Sequence, residues 1–322
     1  MLLAQPSYAP PWRLLTRRTG QLLEHCLHAP SPVNSQEKRS AMLINIGFDI
    51  TLGVTAPTAL LYMLRVHPSR QADLLAPESL QVWPNLQRDE YIDGFGNNCG
   101  RLIVPLGVSS VTLTNRATIN DSGALDAVDY NAFQLEAKDL PISTLQFLLP
   151  SRYCEVDSEL MQFAWARFGN TPLGAARVQA ICDFVHQHIR FDYQCARPTR
   201  TALDGYRERV GVCRDFTHLA VTLCRCMNIP ARYVTGYLGD IGVPVMPSPM
   251  DFSAWFEVFL GDRWFTFDAR HNARRIGRVV MAKGRDAGDV PITMGFGQQQ
   301  LTQFHVITDE VTPQTPPLLQ VA

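Results

Sequence analysis

The chain has 322 residues, of which 46% are apolar and 18% charged, and a formal net charge of -1. This balance excludes a largely disordered chain, and near-neutrality removes the electrostatic reason to expect nucleic acid or an anionic membrane as partner. No stretch reaches the roughly 18 uncharged apolar residues of a membrane span. Pro6, Pro10, Pro11 and Arg13 interrupt the start before a signal-length apolar run accumulates, so the expected compartment is the cytoplasm.

Residues 1–41 read as a loosely ordered extension with a short helical stretch around Leu14–Leu27, and Met42 stands as an alternative translation start. From Met42 the pattern turns to period two, with Ile44, Ile46, Phe48, Ile50 and Leu52 on one face of a strand. Further strands are expected at Thr58–Val66, Tyr91–Phe95, Arg101–Pro105 and Val111–Ile119, with Gly96-Asn97-Asn98 as a turn. Residues 42–150 are therefore expected to form an antiparallel β domain. Helical signals follow: Thr171-Pro172 opens a helix with Val178, Ile181, Val185 and Ile189 as its stripe, and a second helix from about Val212 buries Phe216, Leu219, Ala220, Leu223 and Met227. Strands at Ala231–Leu238, Phe252–Leu260 and Arg263–Ala269 come next, the last two joined at Gly261-Asp262. Helices followed by antiparallel strands make residues 151–310 an α+β domain, with 311–322 as a tail.

The eight cysteines are scattered through a chain too large to need disulfide staples, and they show no C-x-x-C spacing. His186 and His188 fall roughly 200° apart on a helix, so no metal site is expected. Gly284-Arg285-Asp286-Ala287-Gly288 lacks the preceding strand and the spacing of a phosphate loop, which leaves no cofactor implied.

Cys213 falls at a helix start, where unpaired N–H groups and the helix dipole favour a thiolate, and a lowered thiol pKa is expected there. Most cysteines in such places are structural. The wider string separates this one: Gly211-Val212-Cys213-Arg214-Asp215 through Leu219, Asn228-Ile229-Pro230-Ala231-Arg232-Tyr233-Val234 with Gly236-Tyr237, Ala254-Trp255-Phe256-Glu257-Val258-Phe259, and Trp264 with Phe267-Asp268. Together, over about Leu173–Ala269, these resemble the transglutaminase-like superfamily, and the strand-rich region from Met42 resembles the N-terminal domain of its bacterial members. The resemblance implies a papain-like cysteine protease core of helices packed on an antiparallel sheet. It also implies a Cys213 nucleophile, an Asp268 that orients a histidine, and a protein or peptide substrate attacked through a thioester. Asn228 stands where the family has glycine, and Ser253 stands where it has the catalytic histidine.

Serine cannot accept the thiol proton near neutral pH. Three readings stay open: His271 replaces the base, the domain has lost catalysis and serves as a binding or scaffold module, or the base comes from elsewhere, such as His218 or a partner chain. His218 is offset from Cys213 by roughly 140° along the helix, which favours a packing role. Asp268 has a plain alternative as partner of Arg270 or Arg274, Asp215 reads as a first-turn carboxylate, and Trp255, Trp264 and Phe267 read as core or cleft wall. Glu257 needs a partner, with Arg232 the candidate, and Gly239–Met250 reads as a loop over the cleft. No calcium loop of the D-x-[DN]-x-[DN]-G type is present, so no required metal is expected.

Overall fold

The computed structural model describes residues 42–312 with the exception of Pro247. The extension 1–41 with its expected helical stretch, and residues 313–322, lie outside the described residues. In chain order the strands of the first part are β1 (Met42–Val54), β2 (Thr58–Tyr62), β3 (Gln81–Trp83), β4 (Arg88–Ile92), β5 (Asn98–Val104) and β6 (Ser110–Asp121). After α1 (Ile142–Leu145) come α2 (Glu159–Phe168), α3 (Ala175–His188), β7 (Arg190–Phe191), α4 (Ala202–Glu208), β8 (Val210–Gly211) and α5 (Cys213–Cys226). The chain closes with β9 (Ala231–Tyr237), β10 (Ser253–Leu260), β11 (Arg263–Phe267), β12 (Val279–Gly284), β13 (Thr293–Gly295) and β14 (Gln299–Glu310).

The alternation in β1 predicts a strand with one buried face, and Ile44, Ile46, Phe48, Ile50 and Leu52 are indeed all buried. β1 is central in a sheet of order β14-β1-β6-β3, pairing antiparallel with β6 through Ile44↔Ile119 and Ile50↔Leu113. A second sheet has the order β13-β2-β5-β4. The β4–β5 hairpin turns earlier than the Gly96-Asn97-Asn98 expectation. The Asp93 carboxylate accepts the N–H groups of Phe95 and Asn97 (2.9 and 2.8 Å), fixing an Asx turn that frees Asn98 to begin β5. β13 and β14 return from the far end of the sequence: β14 lies along nearly all of β1, with Phe48↔Val306 in register. Residues 293–310, grouped by sequence with the C-terminal part, thus complete the two N-terminal sheets.

In the C-terminal part, β11-β10-β9-β12 form an antiparallel sheet, and helices α2, α3 and α4 surround α5. This is the α+β arrangement expected. The stripe Val178, Ile181, Val185 and Ile189 is buried as its spacing predicts. The helix carrying it starts at Ala175, not at Pro172: the Thr171 hydroxyl is bound to the Phe168 carbonyl (2.7 Å), and Gly174 at φ 82° makes the entry. α5 is buried on every side from Asp215 to Cys226, because helices cover one flank and β9 and β10 the other. It ends at Asn228 in the left-handed region (φ 61°), a conformation asparagine tolerates, which explains how it fills a place the family gives to glycine.

Candidate active site

The start of α5 is set by Asp215. Its carboxylate folds back to accept the Val212 N–H (2.9 Å) and pairs with Arg200 (3.0 Å) while fully buried. A side chain at position 211 would come within 2.6 Å of that carboxylate, so Gly211 is required for the cap to close. Asp215 is therefore the helix-start carboxylate the sequence suggests, and Cys213 is carried on the first turn it fixes.

The Cys213 thiol is only partly exposed and packs with Tyr233 and Ala254. The expected lowering of its pKa is corrected by the structure. Burial pushes the thiol up to about 11, and the charges of Asp251 and Asp268 push the same way, against Arg270 and the backbone N–H of Ala254. Desolvation outweighs the helix end here.

Asp268 directly follows β11, and the expected side-chain partners Arg270 and Arg274 are replaced by others. Its Oδ2 accepts from His271 Nδ1 (2.8 Å) and from Arg278 (2.9 Å), and its Oδ1 accepts the backbone N–H groups of Arg270 and His271 (each 3.0 Å). Burial alone would raise this carboxyl, but Arg278 and the hydrogen bonds of His271 hold it well below the usual carboxylate range. An ionised Asp268 accepts only, so His271 Nδ1 donates in this bond. Arg278 is itself anchored by Asp126, whose oxygens accept its Nε at 2.9 and 3.1 Å.

His218 goes elsewhere. It is fully buried, stacks on Tyr153 (5.0 Å between ring centroids) and accepts the Ala287 N–H at Nε2 (3.2 Å), and burial drives its pKa well down. This is the packing role its offset on the helix predicts, and it uses the Gly284–Gly288 segment that resembles a phosphate loop. Glu257 finds Arg232 directly across β9 (Nε 2.6 Å), with Lys283 at 3.3 Å, and Arg232 lies over the Trp264 ring. Trp255 is buried core, with Arg278 over its ring.

Ser253 begins β10 beside these groups. It lines a cavity of about 40 Å³ together with Tyr193, Asp251, Arg270, His271 and Arg275, and the loop after Gly239 contributes Asp240, Met246 and Met250 to the lining. Sequence reasoning passed over Asp251 and Arg278, and gave Arg270 only as a candidate partner of Asp268. Asp251 had a signal, since by alternation it falls on the Ser253, Trp255 and Glu257 face. Arg278 had none. Among the described residues, no group of three or more His, Cys, Asp or Glu side chains could hold a metal ion, and no helix is long and apolar enough to cross a membrane.

Comparison with known proteins bears on the family and the fold. The family model for the transglutaminase-like superfamily matches residues 165–269, which hold α5, β11 and Asp268 just after it. A solved structure of a candidate cysteine protease from Cytophaga hutchinsonii superposes with a TM-score of 0.73 at 30% identity, covering 88% of this chain and 95% of that one. The periplasmic domain of TgpA from Pseudomonas aeruginosa matches at 17% identity and a TM-score of 0.35, over 73% of this chain and 90% of that one. An uncharacterized protein of Mycobacterium leprae is 29% identical over 113 residues, 34% of this chain and 40% of that protein's length. The chain belongs to the transglutaminase-like superfamily and has its fold.

Proposed function

We propose that the chain is a cysteine acyl-transfer enzyme acting on protein or peptide substrates, with Cys213 as nucleophile, His271 as general base and Asp268 as the group that orients it. The supporting observation is the 2.8 Å bond between His271 Nδ1 and Asp268 Oδ2, made at a buried, ionised carboxylate. It rebuilds, from the end of β11, the imidazole–carboxylate pair that Ser253 removes from β10. The similarity to a candidate cysteine protease supports the same reading.

With the thiol raised to about 11 the resting form is neutral, so the proton leaves Cys213 as the sulfur attacks, not before. In the first step an S–C bond forms to a carboxamide or peptide carbonyl and the thiol proton passes to His271 Nε2. Collapse breaks the C–N bond, the leaving amine takes the proton from His271, and a thioester remains. Water or an amine then attacks the thioester with His271 again as base, giving hydrolysis or transamidation. The Ala254 N–H, which faces the Cys213 sulfur, is the candidate donor to a developing oxyanion.

The raised thiol favours a second reading as well, a binding module whose cleft outlived its chemistry. Iodoacetamide labelling across pH, with mass spectrometry at Cys213 in wild type and His271→Ala, decides between them. Labelling at neutral pH faster than a thiol raised to about 11 allows unaided, and slowed in the variant, supports the enzyme. Labelling that follows the thiol's own titration alone, indifferent to the variant, supports the module.

A further inference from the structure

The small cavity beside Ser253 holds more hydrogen-bond donors than the fold uses. Ser253 and Arg275 are each 5% exposed, yet Ser253 Oγ and Arg275 Nε find no partner among the described residues. Buried polar atoms are rarely left unpaired, and an orphaned donor in a wall marks a place where something else accepts. Arg275 is otherwise engaged through its terminal nitrogen, which donates to the Gly239 carbonyl (2.8 Å). Its ion partner Asp240 stands off at 3.7 Å and accepts the Met246 N–H at 2.7 Å.

Arg270 supplies a third donor. Its guanidinium lies 4.0 Å from the Phe191 ring centroid and makes no ion pair or hydrogen bond with the described residues. Asp251, which lines the same space, forms no salt bridge with it, and burial raises that carboxyl to about 6 against the Phe252 N–H and Arg270. Arg270, Arg275 and Ser253 thus line one space together with Asp240 and Asp251, the Ser253 and Arg275 donors lying within its wall. Its 40 Å³ corresponds to about three water-sized groups, the size of a carboxylate head.

Resting on the acyl-transfer reading, we propose that this cavity is a subsite for a free carboxylate, held by Arg270, Arg275 and Ser253, and that the preferred substrates are acyl or peptidyl acids whose carboxylate lies close to the bond attacked. A planar anion matches the guanidinium fork and satisfies the orphaned donors together. A carboxamide of the same size leaves the Arg270 charge unanswered. In this chain the serine at the family's histidine position has become a binding group, and the loop after Gly239 sets which acids enter.

The test is calorimetric titration of the full chain with N-acetylglycine and with N-acetylglycine amide, in wild type, Arg270→Gln, Ser253→Ala and Cys213→Ala. The acid is expected to bind at least about tenfold more tightly than the amide. Arg270→Gln removes that preference, Ser253→Ala reduces it, and Cys213→Ala retains it because no thiol chemistry is involved. Equal binding of acid and amide, a preference that survives Arg270→Gln, or no binding of either overturns the subsite. A preserved preference in a chain without turnover sinks the acyl-transfer reading and leaves the subsite standing. Turnover without acid preference does the reverse.

Discussion

The first turn of α5 and the turn after β11 supply the two halves of the proposed chemistry, and they are built in opposite ways. At the first turn the design is local: Gly211 makes room, Asp215 caps, and Cys213 follows, all within one short string. After β11 it is distant: Asp268 and His271 are neighbours in sequence, but what fixes them is Arg278, and what fixes Arg278 is Asp126 from the segment after β6. The local design places a thiol without activating it. The distant one holds an ionised carboxylate in a buried place, which is what an activating imidazole requires.

If that division is right, variants in the two regions fail differently. The largest effect belongs to the two reacting groups. Cys213→Ala abolishes turnover, a loss of about a thousandfold or more, and His271→Ala costs about a hundredfold to ten-thousandfold with the melting temperature little changed. His218→Ala is the contrast on the nucleophile's own helix. It removes a buried ring and leaves the Ala287 N–H unpaired, destabilising the fold by about 2–4 kcal/mol while the folded fraction keeps its turnover. Turnover assays beside thermal melts of the three variants check this, and a His218→Ala protein that folds but is inactive would reverse the assignment of the base.

Arg278→Met comes next, because it strands the buried carboxylate of Asp268 and the Asp126 that faced it. Breaking such a pair from one side costs about 3–5 kcal/mol. The pH dependence carries the sign. Asp268 is depressed in the folded state, so its contribution is fully present above the ordinary carboxylate value near 3.9 and is lost as pH falls toward the lower folded value. Without the guanidinium, burial dominates, the carboxyl moves up, and acid unfolding begins at higher pH. Urea titrations between about pH 7 and pH 4 read this directly, and an unchanged acid limb would remove Arg278 from the arrangement.

How much of this the sequence made legible follows the same division. Period two in β1, the stripe of α3, the helix at Cys213, the Gly261-Asp262 turn and the Arg232–Glu257 pair all rest on spacing, and spacing was enough. What escaped rests on residues far apart in the chain. β14 looks like a C-terminal appendage until it pairs with β1, and Arg278 is one arginine among several until Asp268 and Asp126 meet on it. The thiol pKa was misread for the same reason. The helix end is visible in the string, whereas the burial that overrides it is a property of the packed site.

The finest division between the two regions lies at Asp251, a carboxylate that touches the chemistry of Cys213 only through its charge. It is among the causes that raise the thiol, and its own carboxyl is raised to about 6. Replacing it with asparagine removes a negative charge beside the sulfur, so the midpoint of iodoacetamide labelling at Cys213 moves to lower pH by up to about one unit. Stability moves too, with the opposite sign to Asp268. A carboxyl raised in the folded state binds its proton more tightly there than in the unfolded chain, so wild-type stability falls as pH rises from about 4 through 6. Asp251→Asn flattens that fall, a change on the order of 1 kcal/mol at neutral pH once residual solvation is allowed for. A labelling midpoint that stays put would mean that burial alone holds the thiol up, and that the carboxylates around it matter for the fold and not for the nucleophile.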